Sequence, residues 1–518
     1  GLFKLGPACC EVIPGQFDRR EQINSVFGVA NFGYQNMIFL DITARNDWSS
    51  TLPLNNNSYF YPSVSLSAVL SDMFEISPSS PLAFAKIRAG YAQVGGDTDP
   101  YNIANVYEFG NIWGGQPVAD KSSLLRNPNL RPETTSTYEV GTDLRFFNDR
   151  IGLDFTYYYI SSKDQILQVP LAQTTGYAAR LLNAGEIQNR GIELMLRANP
   201  VQTAGGFNWN VNLNFARNRS EVVELAEGIT NYQIASDMYP GDGGQDLSLE
   251  ARVGEPLGQL VGLDLQRVAE GPYAGQVIHQ DGLPLVGTEK VSAGTYQPDF
   301  TFGLYNTLDY KNFRLGFLFD GRVGGKIFSR SHTMLVSGGA ITNEGDEKIG
   351  SILGGRVEHE PLQYDAQGNP PLDADGNYIW GPLVNAGSFV GPGVKNIGTA
   401  ENPEYVLNDE EVATRDYIYR YYNNIFNRDI ITTGTFDNTW IKLREVILTY
   451  NLPTDLTERI GLSGASVSLV GRNLLLFTDV PTIDPETFSI RNGRIIQGFE
   501  STQLPSTRSF GFNIRVRL

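Results

Sequence analysis

The sequence holds few of the residues that build metal sites and disulfide frameworks. Its only cysteines, Cys9 and Cys10, are adjacent and cannot pair with each other without strain. The three histidines, His279, His332 and His359, lie far apart and lack the spacing of a zinc motif. A metal enzyme is therefore not expected and no cofactor is implied, while the state of the two cysteines stays open.

Long apolar runs and an excess of basic residues are missing as well. No uninterrupted apolar stretch reaches the ~18 residues that a membrane-spanning helix requires, and runs that favour helices are scarce. The formal net charge of −17 argues against binding to nucleic acid, whose phosphates attract clustered Lys and Arg. We therefore expect a solvated acidic surface and no nucleic-acid partner.

The sequence is instead rich in glycine and aromatic residues, with Gly 55, Phe 28 and Tyr 25. This composition favours β-strands joined by turns, because aromatic side chains suit a pleated surface. Apolar and polar residues alternate without a break at the C-terminal end. Since successive side chains of a strand point to opposite faces, this segment is predicted to have one wholly apolar face. Its apolar positions are Phe510, Phe512, Ile514, Val516 and Leu518.

The same alternation recurs along the chain in segments of about ten residues or more. Strands of soluble sandwiches are usually ~5–6 residues long, whereas a tilted strand needs ~9–11 residues to cross a bilayer. Aromatic residues near the segment ends suit interfacial girdles; they include Trp48, residues 59–61, residues 157–159 and Trp440. The sequence therefore predicts an all-β fold, a transmembrane antiparallel β-barrel, of which this chain supplies thirteen spans. The predicted spans are residues 22–34, 36–48, 61–73, 83–94, 136–147, 150–161, 187–199, 206–218, 299–310, 312–324, 440–451, 464–476 and 508–518.

Tight turns and long connections alternate between these spans. Outer-membrane barrels have short periplasmic turns and long outer loops, so a periplasmic C terminus would put every tight turn in the periplasm. The prediction is a bacterial outer-membrane protein in which residues 1–21 are the remnant of an outer loop and residues 22–518 form the barrel portion. The expected outer loops are about 95–135, 162–186, 219–298, 325–439 and 477–507.

The odd number of predicted spans has a consequence for assembly. Single-chain bacterial barrels have even numbers of strands. We therefore expect an N-terminal partner fragment, which strand pairing could hold in the same barrel. Mass spectrometry of the intact particle that finds this chain and no companion peptide would contradict that expectation.

Candidate site residues fall on the polar strand faces and in the loops. The polar faces would line the barrel lumen and could contact a plug or border a hydrated path, with simple hydration as the alternative; these residues are Glu193, Arg197, Asn208, Asn210, Asn212, Asn214, Arg314, Asp320, Arg515 and Arg517. Aromatic loop residues could stack on sugar rings or hold peptide backbones, with packing inside the loops or against a partner as the alternative; they are Tyr101, Tyr107, Trp113 and Trp380.

Two groups of acidic residues suggest other chemistry only weakly. Asp373, Asp375 and Asn377 resemble part of a calcium loop, but no Glu follows at its twelfth position, so paired hairpin turns are favoured. Asp484 and Glu486 could in principle support glycoside hydrolysis, which uses two nearby carboxyl groups. Nothing in the sequence places them in a pocket, so the chain is not expected to be an enzyme.

Several segments, in a fixed order, resemble the C-terminal half of SusC-like or RagA-like TonB-dependent transporters of Bacteroidetes outer membranes. Any one of these matches could be chance, but the ordered set makes coincidence improbable. The segments are ARNDWSS at residues 44–50, YPSVS at 61–65, IRAGY at 87–91, NPNLRPE at 127–133, NAGEIQNRGIE at 183–193 and GRNL at 471–474.

This resemblance implies a barrel of about 22 strands that encloses a plug, with about nine strands preceding this chain. It also implies a SusD-like surface lipoprotein as a lid, and import of oligosaccharides or peptides energised by the TonB complex through the N-terminal plug and barrel portion. The terminal strand is similar to the signal read by the barrel-assembly machinery, although Leu518 stands where the family commonly has Phe.

Two other functions remain open at this point. A SusC-like barrel could act as a structural or scaffold subunit of a larger outer-membrane assembly without transport, and a secreted β-rich hydrolase would share the strand content. The sequence does not identify the cargo, because the composition of the loops does not separate glycan from peptide.

Overall fold

Thirteen long strands dominate the described part of the chain. The computed structural model describes residues 18–109, 116, 118–237, 247–337, 356–359, 372, 388–421, 430–491 and 494–518. The long strands are β1 Ile23–Tyr34, β2 Ile38–Ser49, β3 Ser58–Val69, β4 Leu82–Gly96, β5 Glu133–Phe146, β6 Ile151–Lys163, β7 Glu186–Gln202, β8 Phe207–Glu224, β9 Phe300–Tyr310, β10 Phe313–Val323, β11 Trp440–Asn451, β12 Gly464–Thr478 and β13 Ser509–Arg517.

These strands form one sheet in which each strand neighbours the next one along the chain. The pairs β1–β2, β8–β9, β9–β10, β10–β11, β11–β12 and β12–β13 are antiparallel. Tight turns join several of them, and the non-glycine residues Phe147, Asn148 and Asp149 adopt positive φ where β5 turns into β6. The all-β class and the thirteen predicted spans are confirmed.

The two faces of the sheet differ in chemistry, as the register of its last three strands shows. Leu448 lies opposite Leu469, which lies opposite Phe512, so one face carries an apolar row. The side chains of Leu469 and Phe512 are 59% and 75% exposed. One residue further along, Thr449, Ser468 and Asn513 are directly paired and make a polar row on the other face.

Aromatic side chains line the tight-turn end of the apolar face. Phe207, Tyr310, Phe313 and Tyr450 are direct cross-strand partners, each of the next. The rings of Phe313 and Tyr450 lie 4.8 Å apart, centroid to centroid. A row of this kind, on neighbouring strands at one height, is typical of the girdle at a membrane interface.

A β-bulge in β11 reverses the sidedness of its first residues. Leu443 and Glu445 pair with Phe319 and Leu318, so Arg444 is an extra residue in the ladder. One added residue moves the side chains beyond it to the opposite face. Trp440 therefore lies opposite Arg322 on the polar face and is only 7% exposed. The prediction that Trp440 belongs to an interfacial girdle is wrong for this reason.

The connections between the long strands carry shorter elements. Within the described ranges, the helices are Leu70–Met73, Arg330–Ser337, Thr414–Tyr421 and Thr454–Arg459, with a 3-10 turn at Gln173–Thr175. The short strands are Tyr107–Phe109, Ala119–Lys121, Leu124–Leu125, Ile166–Pro170, Ala179–Asn183, Asn231–Asp237, Leu247–Arg252, Gln259–Leu265, Ile278–Gln280, Leu283–Pro284, Val286–Thr295, Lys326–Ser329, Arg356–His359, Ser388–Val390, Val394–Asn396, Tyr405–Leu407, Val412–Ala413, Thr435–Asp437, Ser489–Arg491, Arg494–Ile496 and Phe499–Glu500. In the described ranges, no helix is both long and apolar enough to cross a membrane.

The chain divides into two compact units, and each has its own apolar core. The first unit comprises residues 1–67, 89–138 and 160–186, and its described part packs around Leu52, Leu130 and Leu181.

The second unit comprises residues 68–88, 139–159 and 187–518. Its connections enclose one apolar cluster of Leu247, Leu249, Leu260, Phe328, Ile431 and Phe499, and another of Val336, Phe389, Tyr417 and Ile418. The long connections of this unit are therefore packed structures, because burial of these side chains holds them together.

The two terminal strands of the sheet each have one open side. In the part of the chain that the structure describes, β1 pairs only with β2, and β13 pairs only with β12. Both strands are exposed along nearly their whole length. Their outer backbone N–H and C=O groups have no partner strand within the described ranges.

Candidate functional site

A cleft of about 720 Å³ lies against the polar face of the sheet in the second unit. This volume is within the range of about 300–1,000 Å³ that is usual for ligand sites. Strands β6 to β11 supply most of the lining, and residues 485–488 of the following connection supply the rest. The polar lining residues are Asp154, Thr156, Glu193, Asn214, Thr301, Asp320, Arg322, Trp440 and Glu486.

An ionic cluster holds residues 485–488 in place, the part of the cleft wall that comes from the connection after β12. The ammonium of Lys442, only 3% exposed, donates to Asp484 Oδ1 and Oδ2 at 2.7 and 2.8 Å and also to Glu486. The guanidinium of Arg444 bridges Glu486, at 2.7 Å, and Asp320, at 2.8 Å. Two cations thus share three carboxylates, and the segment that contains Asp484 and Glu486 is tied to β11.

The two loop carboxylates of this cluster are held in the ionised form. Burial opposes their ionisation, but hydrogen bonds from Lys442 and Ser506 outweigh it and lower the pKa of Asp484. Burial likewise opposes ionisation of Glu486, and the hydrogen bonds from Arg444 and Lys442 lower its pKa. Both acids that could have formed a glycosidase pair are thus engaged in ion pairs.

A second ion pair joins Asp154 of the cleft lining to Arg88 of β4, which lies outside the lining. Arg88 donates to Asp154 Oδ1 at 2.7 Å and Oδ2 at 3.1 Å, and also to Thr156 at 2.6 Å. The absence of a side chain at Gly141 makes room for it, since a Cβ there would lie 2.7 Å from the Arg88 Nε atom. Through this bidentate contact, Arg88 of the IRAGY segment ties β4 to β6.

The structure brings together only some of the predicted polar-face residues. Glu193, Asn214 and Asp320 line the cleft. Arg314 pairs with Asp309 at 2.6 Å. Others lie in register with polar or small partners outside the cleft: Asn208, Asn210, Asn212, Arg515 and Arg517. Arg197 donates weakly to the sulfur of Met195. Their orientation toward a lumen stays a prediction.

The aromatic loop residues named from the sequence do not gather at this cleft. The hydroxyl of Tyr101 donates to the backbone oxygen of Asp18 at 3.1 Å and accepts from the N–H of Arg20 at 3.2 Å, so this residue ties loop segments together. Tyr107 is 74% exposed on a short hairpin. The remaining predicted residues lie outside the described ranges: Cys9, Cys10, Trp113, Asp373, Asp375, Asn377 and Trp380.

Sequence reasoning missed Trp440, Lys442 and Arg444 as members of the site. The available signal was the alternation of polar residues at positions 442 and 444 inside a strand whose other residues are mostly apolar. The bulge concealed it, because counting by twos from Leu448 places those positions on the apolar face.

The segments that carry the family resemblance have structural roles. The Asn183 side chain accepts from the N–H of Arg131 and donates to its carbonyl, both at 2.7 Å, and so joins two of these segments. Gly191 permits close packing, because a Cβ there would lie 2.5 Å from the backbone oxygen of Arg217 and would also contact Tyr158. Asn183 thus holds two loop segments together, and Gly191 allows neighbouring side chains and backbone to pack closely.

A sheet of long strands with one exposed apolar face and one charged face defines a membrane protein whose strands meet lipid on one side and water on the other. A family model described as "TonB dependent receptor-like, beta-barrel" matches residues 6–332. The chain therefore belongs to the TonB-dependent receptor β-barrel family, and this membership assigns it to the outer membrane.

Known relatives match most or nearly all of the chain, although the chain covers only part of each relative. TonB-dependent receptor P3 of Formosa agariphila is 26% identical over 528 residues, which are 97% of this chain and 46% of the relative. TonB-dependent receptor SusC of Bacteroides thetaiotaomicron is 23% identical over 422 residues, which are 74% of this chain and 40% of the relative. The chain thus spans about half the length of these relatives.

The fold is also found in a solved transporter. The structure of the RagAB peptide transporter matches 96% of this chain and 48% of its own with a TM-score of 0.65, at 20% sequence identity. The predicted resemblance to SusC-like and RagA-like receptors is confirmed.

Proposed function

We propose that the chain is part of the outer-membrane channel of a SusCD-type importer that takes up oligosaccharides or peptides by a TonB-dependent process. Family membership carries the proposal. The likeness to SusC and to the RagAB transporter supports this branch of the family. The polar cleft supports it further, because a transporter needs a hydrated path that binds cargo on the inner face of its wall.

The proposed partners follow from the same likeness. A SusD-like surface lipoprotein would meet the outer loops, whose buried cores make them firm enough to serve as a platform. An N-terminal plug and barrel portion would pair with the open sides of β1 and β13 and link the channel to the TonB complex. The barrel-assembly machinery would recognise the terminal strand through Phe510, Phe512, Ile514, Val516 and Leu518.

Uptake by cells that express the full-length gene with its lipoprotein gene tests the proposal. We expect a panel of labelled oligosaccharides and peptides to include at least one substrate whose uptake stops when TonB is deleted. The same strain with the lipoprotein gene deleted should lose most of that uptake. Correct insertion in the outer membrane without uptake of any panel member would contradict transport and favour a scaffold function.

A further inference from the structure

Two exposed arginines continue the apolar rows of neighbouring strands. Along β7 the alternate apolar residues end at Ile192, and the next position of that row is Arg190. Along β8 they end at Phe215, and the next position is Arg217. Both arginines are exposed and lie at the end of the β7–β8 hairpin that is opposite its tight turn. The apolar face of this hairpin thus ends in basic residues.

Hydrogen bonds near both ends of the hairpin fix the face on which these arginines lie. Asn199 donates to Asn208 Oδ1 at 2.8 Å near the tight turn, and Asn218 donates to Asn189 Oδ1 at 3.1 Å near the other end. These amides share the polar face with Asn214, which lines the cleft. Positions 190 and 217 are each one residue away from such an amide. Because successive side chains of a strand point to opposite faces, both arginines project from the apolar face.

The spacing along β8 places Arg217 at the edge of the apolar band. Phe207 belongs to the aromatic row at the tight-turn end, and Arg217 lies ten residues further along the strand. At about 3.4 Å per residue and a tilt of about 40°, this distance is a height of about 26 Å, close to the ~25 Å of the band in outer-membrane barrels. The rings of Phe215 and Phe300, 5.3 Å apart, form an aromatic pair on the membrane side of Arg217. The amide contact at this end of the hairpin puts Arg190 at a similar height.

The two arginines have no carboxylate partner, whereas a nearby arginine of the same row does. Arg219 donates to Asp299 at 2.7 Å. In the part of the chain that the structure describes, no acidic group lies within ion-pair distance of Arg190 or Arg217. At the edge of the apolar band the neighbouring molecules are lipid headgroups rather than bulk water. A planar guanidinium matches the oxygens of a phosphate group in a bidentate geometry.

We propose that Arg190 and Arg217 bind a phosphate group of lipid A, the membrane anchor of lipopolysaccharide. Under the predicted topology this end of the hairpin is the outer one, and the outer leaflet of a bacterial outer membrane consists of lipopolysaccharide. The arginines continue the lipid-facing surface, so the acyl chains lie along the apolar rows and the phosphate meets the guanidinium groups. The inference rests on the outer-membrane location and on the predicted topology, and it does not depend on import of a cargo.

Titration of the full-length protein, in complex with its lipoprotein, with two forms of lipid A tests this inference. One form carries its phosphates, and the other is the same lipid after enzymatic removal of the phosphates. Because the acyl chains are identical, a difference in affinity reports the phosphates. Native mass spectrometry counts the bound lipids and gives each Kd. We expect the phosphorylated form to bind about 25-fold more tightly, which is about fivefold for each arginine at an anionic membrane surface.

Substitutions assign the preference to the two arginines. Arg190→Gln and Arg217→Gln should each weaken binding of the phosphorylated lipid about fivefold and leave the dephosphorylated lipid unaffected. In the double variant the two lipids should bind equally, because the substitutions and the dephosphorylation remove the same contact. Arg197→Gln is the matched control, since Arg197 is an exposed arginine of the same strand on the polar face, and it should keep the full preference. Heat-modifiable gel mobility identifies the folded variants.

Equal binding of the two lipids to the wild-type protein would overturn the inference, and this measurement requires no variant to fold. A preference that persists in the double variant, or that Arg197→Gln also abolishes, would overturn it as well, because the phosphate would then be bound elsewhere. Phosphatidylglycerol that displaces the phosphorylated lipid at equal concentration would refute lipid A as the specific ligand. The uptake assay reports import separately, so failure of either proposal leaves the other standing.

Discussion

Lys442 shows how a single residue stabilises the wall of the cleft that residues 485–488 supply. Its ammonium is buried among Asp484 and Glu486, so its removal would leave Asp484 without a cation in a poorly hydrated site, whereas Glu486 would keep its pair with Arg444. We expect Lys442→Met to destabilise the full-length protein by about 3 kcal/mol, because breaking a buried ion pair leaves an uncompensated charge. Thermal unfolding and the rate of proteolysis within residues 479–508 would measure the effect.

A second substitution distinguishes charge pairing from packing. The double variant Lys442→Met, Asp484→Asn should lose less unfolding free energy than the two single variants lose together. In the double variant, neither an unpaired ammonium nor an unpaired Asp484 carboxylate remains. Arg314→Gln is the control: its exposed pair with Asp309 should contribute less than about 1 kcal/mol. Additive effects at Lys442 and Asp484 would mean that the pair is not coupled.

Gly191 explains a sequence motif by close approach of two strands. We expect Gly191→Ala to destabilise the protein by about 1–3 kcal/mol, because its Cβ would meet the backbone oxygen of Arg217, which cannot rotate away. Gly152→Ala serves as the control, since nothing lies within 4 Å of the added atom. Unfolding temperatures of the two variants provide the measurement, and equal temperatures would refute the packing argument.

Strand elements were predictable from the sequence wherever alternation ran unbroken. β13 and the pair β9–β10 follow simple alternation, and the predicted bounds of each agree with the observed bounds to within one or two residues. β11 shows the limit of this reasoning. A bulge arises from the pairing of a strand with its neighbours, so the composition of β11 alone does not reveal it. The prediction of the site residues failed at this bulge, because it changes the face on which Trp440 and Lys442 lie.

The terminal strand gives a test of sidedness and assembly. Phe512 lies opposite Leu469 on the exposed apolar face, so Phe512→Asp should place a charge in lipid at a cost of about 2–3 kcal/mol. Asn513→Asp adds the same charge on the polar face, opposite Ser468, and should be tolerated. The folded fraction in outer membranes, scored by heat-modifiable gel mobility, should fall for Phe512→Asp alone; normal assembly of that variant would reverse the facing assignment.

A buried histidine makes one loop element sensitive to acid. Burial lowers the pKa of His332 to about 4, and its ring packs edge-on against Phe436. The folded loop favours the neutral ring, so its stability is complete above the unfolded pKa of about 6.5 and is lost as the pH falls toward 4. At pH 4.5 the loss should reach about 2 kcal/mol.

Hydrogen exchange of residues 327–336 at pH 7.5 and pH 4.5 measures this loss. Protection should fall at pH 4.5 in the wild-type protein and fall less in His332→Phe. Asp484 and Glu486 interfere little, because their lowered pKa values give a contribution that is complete above the unfolded values of 3.8 and 4.5 and is lost mostly at lower pH, as the folded-state pKa values are passed. An identical response of both proteins would exclude His332 as the cause.

At the scale of the whole molecule, the sequence was least informative about the long connections. Strand Leu247–Arg252 is buried on both faces and encloses Ser248 and Glu250, so it shows no contrast between an apolar and a polar side. Its partners come from distant parts of the chain: Phe328, Ile431 and Phe499 share one core with Leu247. Pairings of such long range leave no local pattern to recognise.

The orientation of the whole molecule gives one further prediction. With a periplasmic C terminus, Tyr107 lies outside the cell and Leu456, between β11 and β12, faces the periplasm. In a background with Cys9 and Cys10 replaced by Ser, Tyr107→Cys should react with a membrane-impermeant maleimide on intact cells, whereas Leu456→Cys should react only after the outer membrane is opened. Both positions are exposed, so a difference in reactivity reports sidedness. The reverse pattern would invert the topology.

The open sides of β1 and β13 affect the part of the protein to which a free energy of unfolding can be assigned. Hydrocarbon offers no hydrogen bonds, so a sheet that ends in two unpaired strands cannot rest in a bilayer as a finished structure. We therefore expect insertion of the sheet to be coupled to the pairing of these two strands. If other strands close the ring, as proposed, a free energy of unfolding would belong to the closed ring, and it could not be divided between these 518 residues and the strands that complete it.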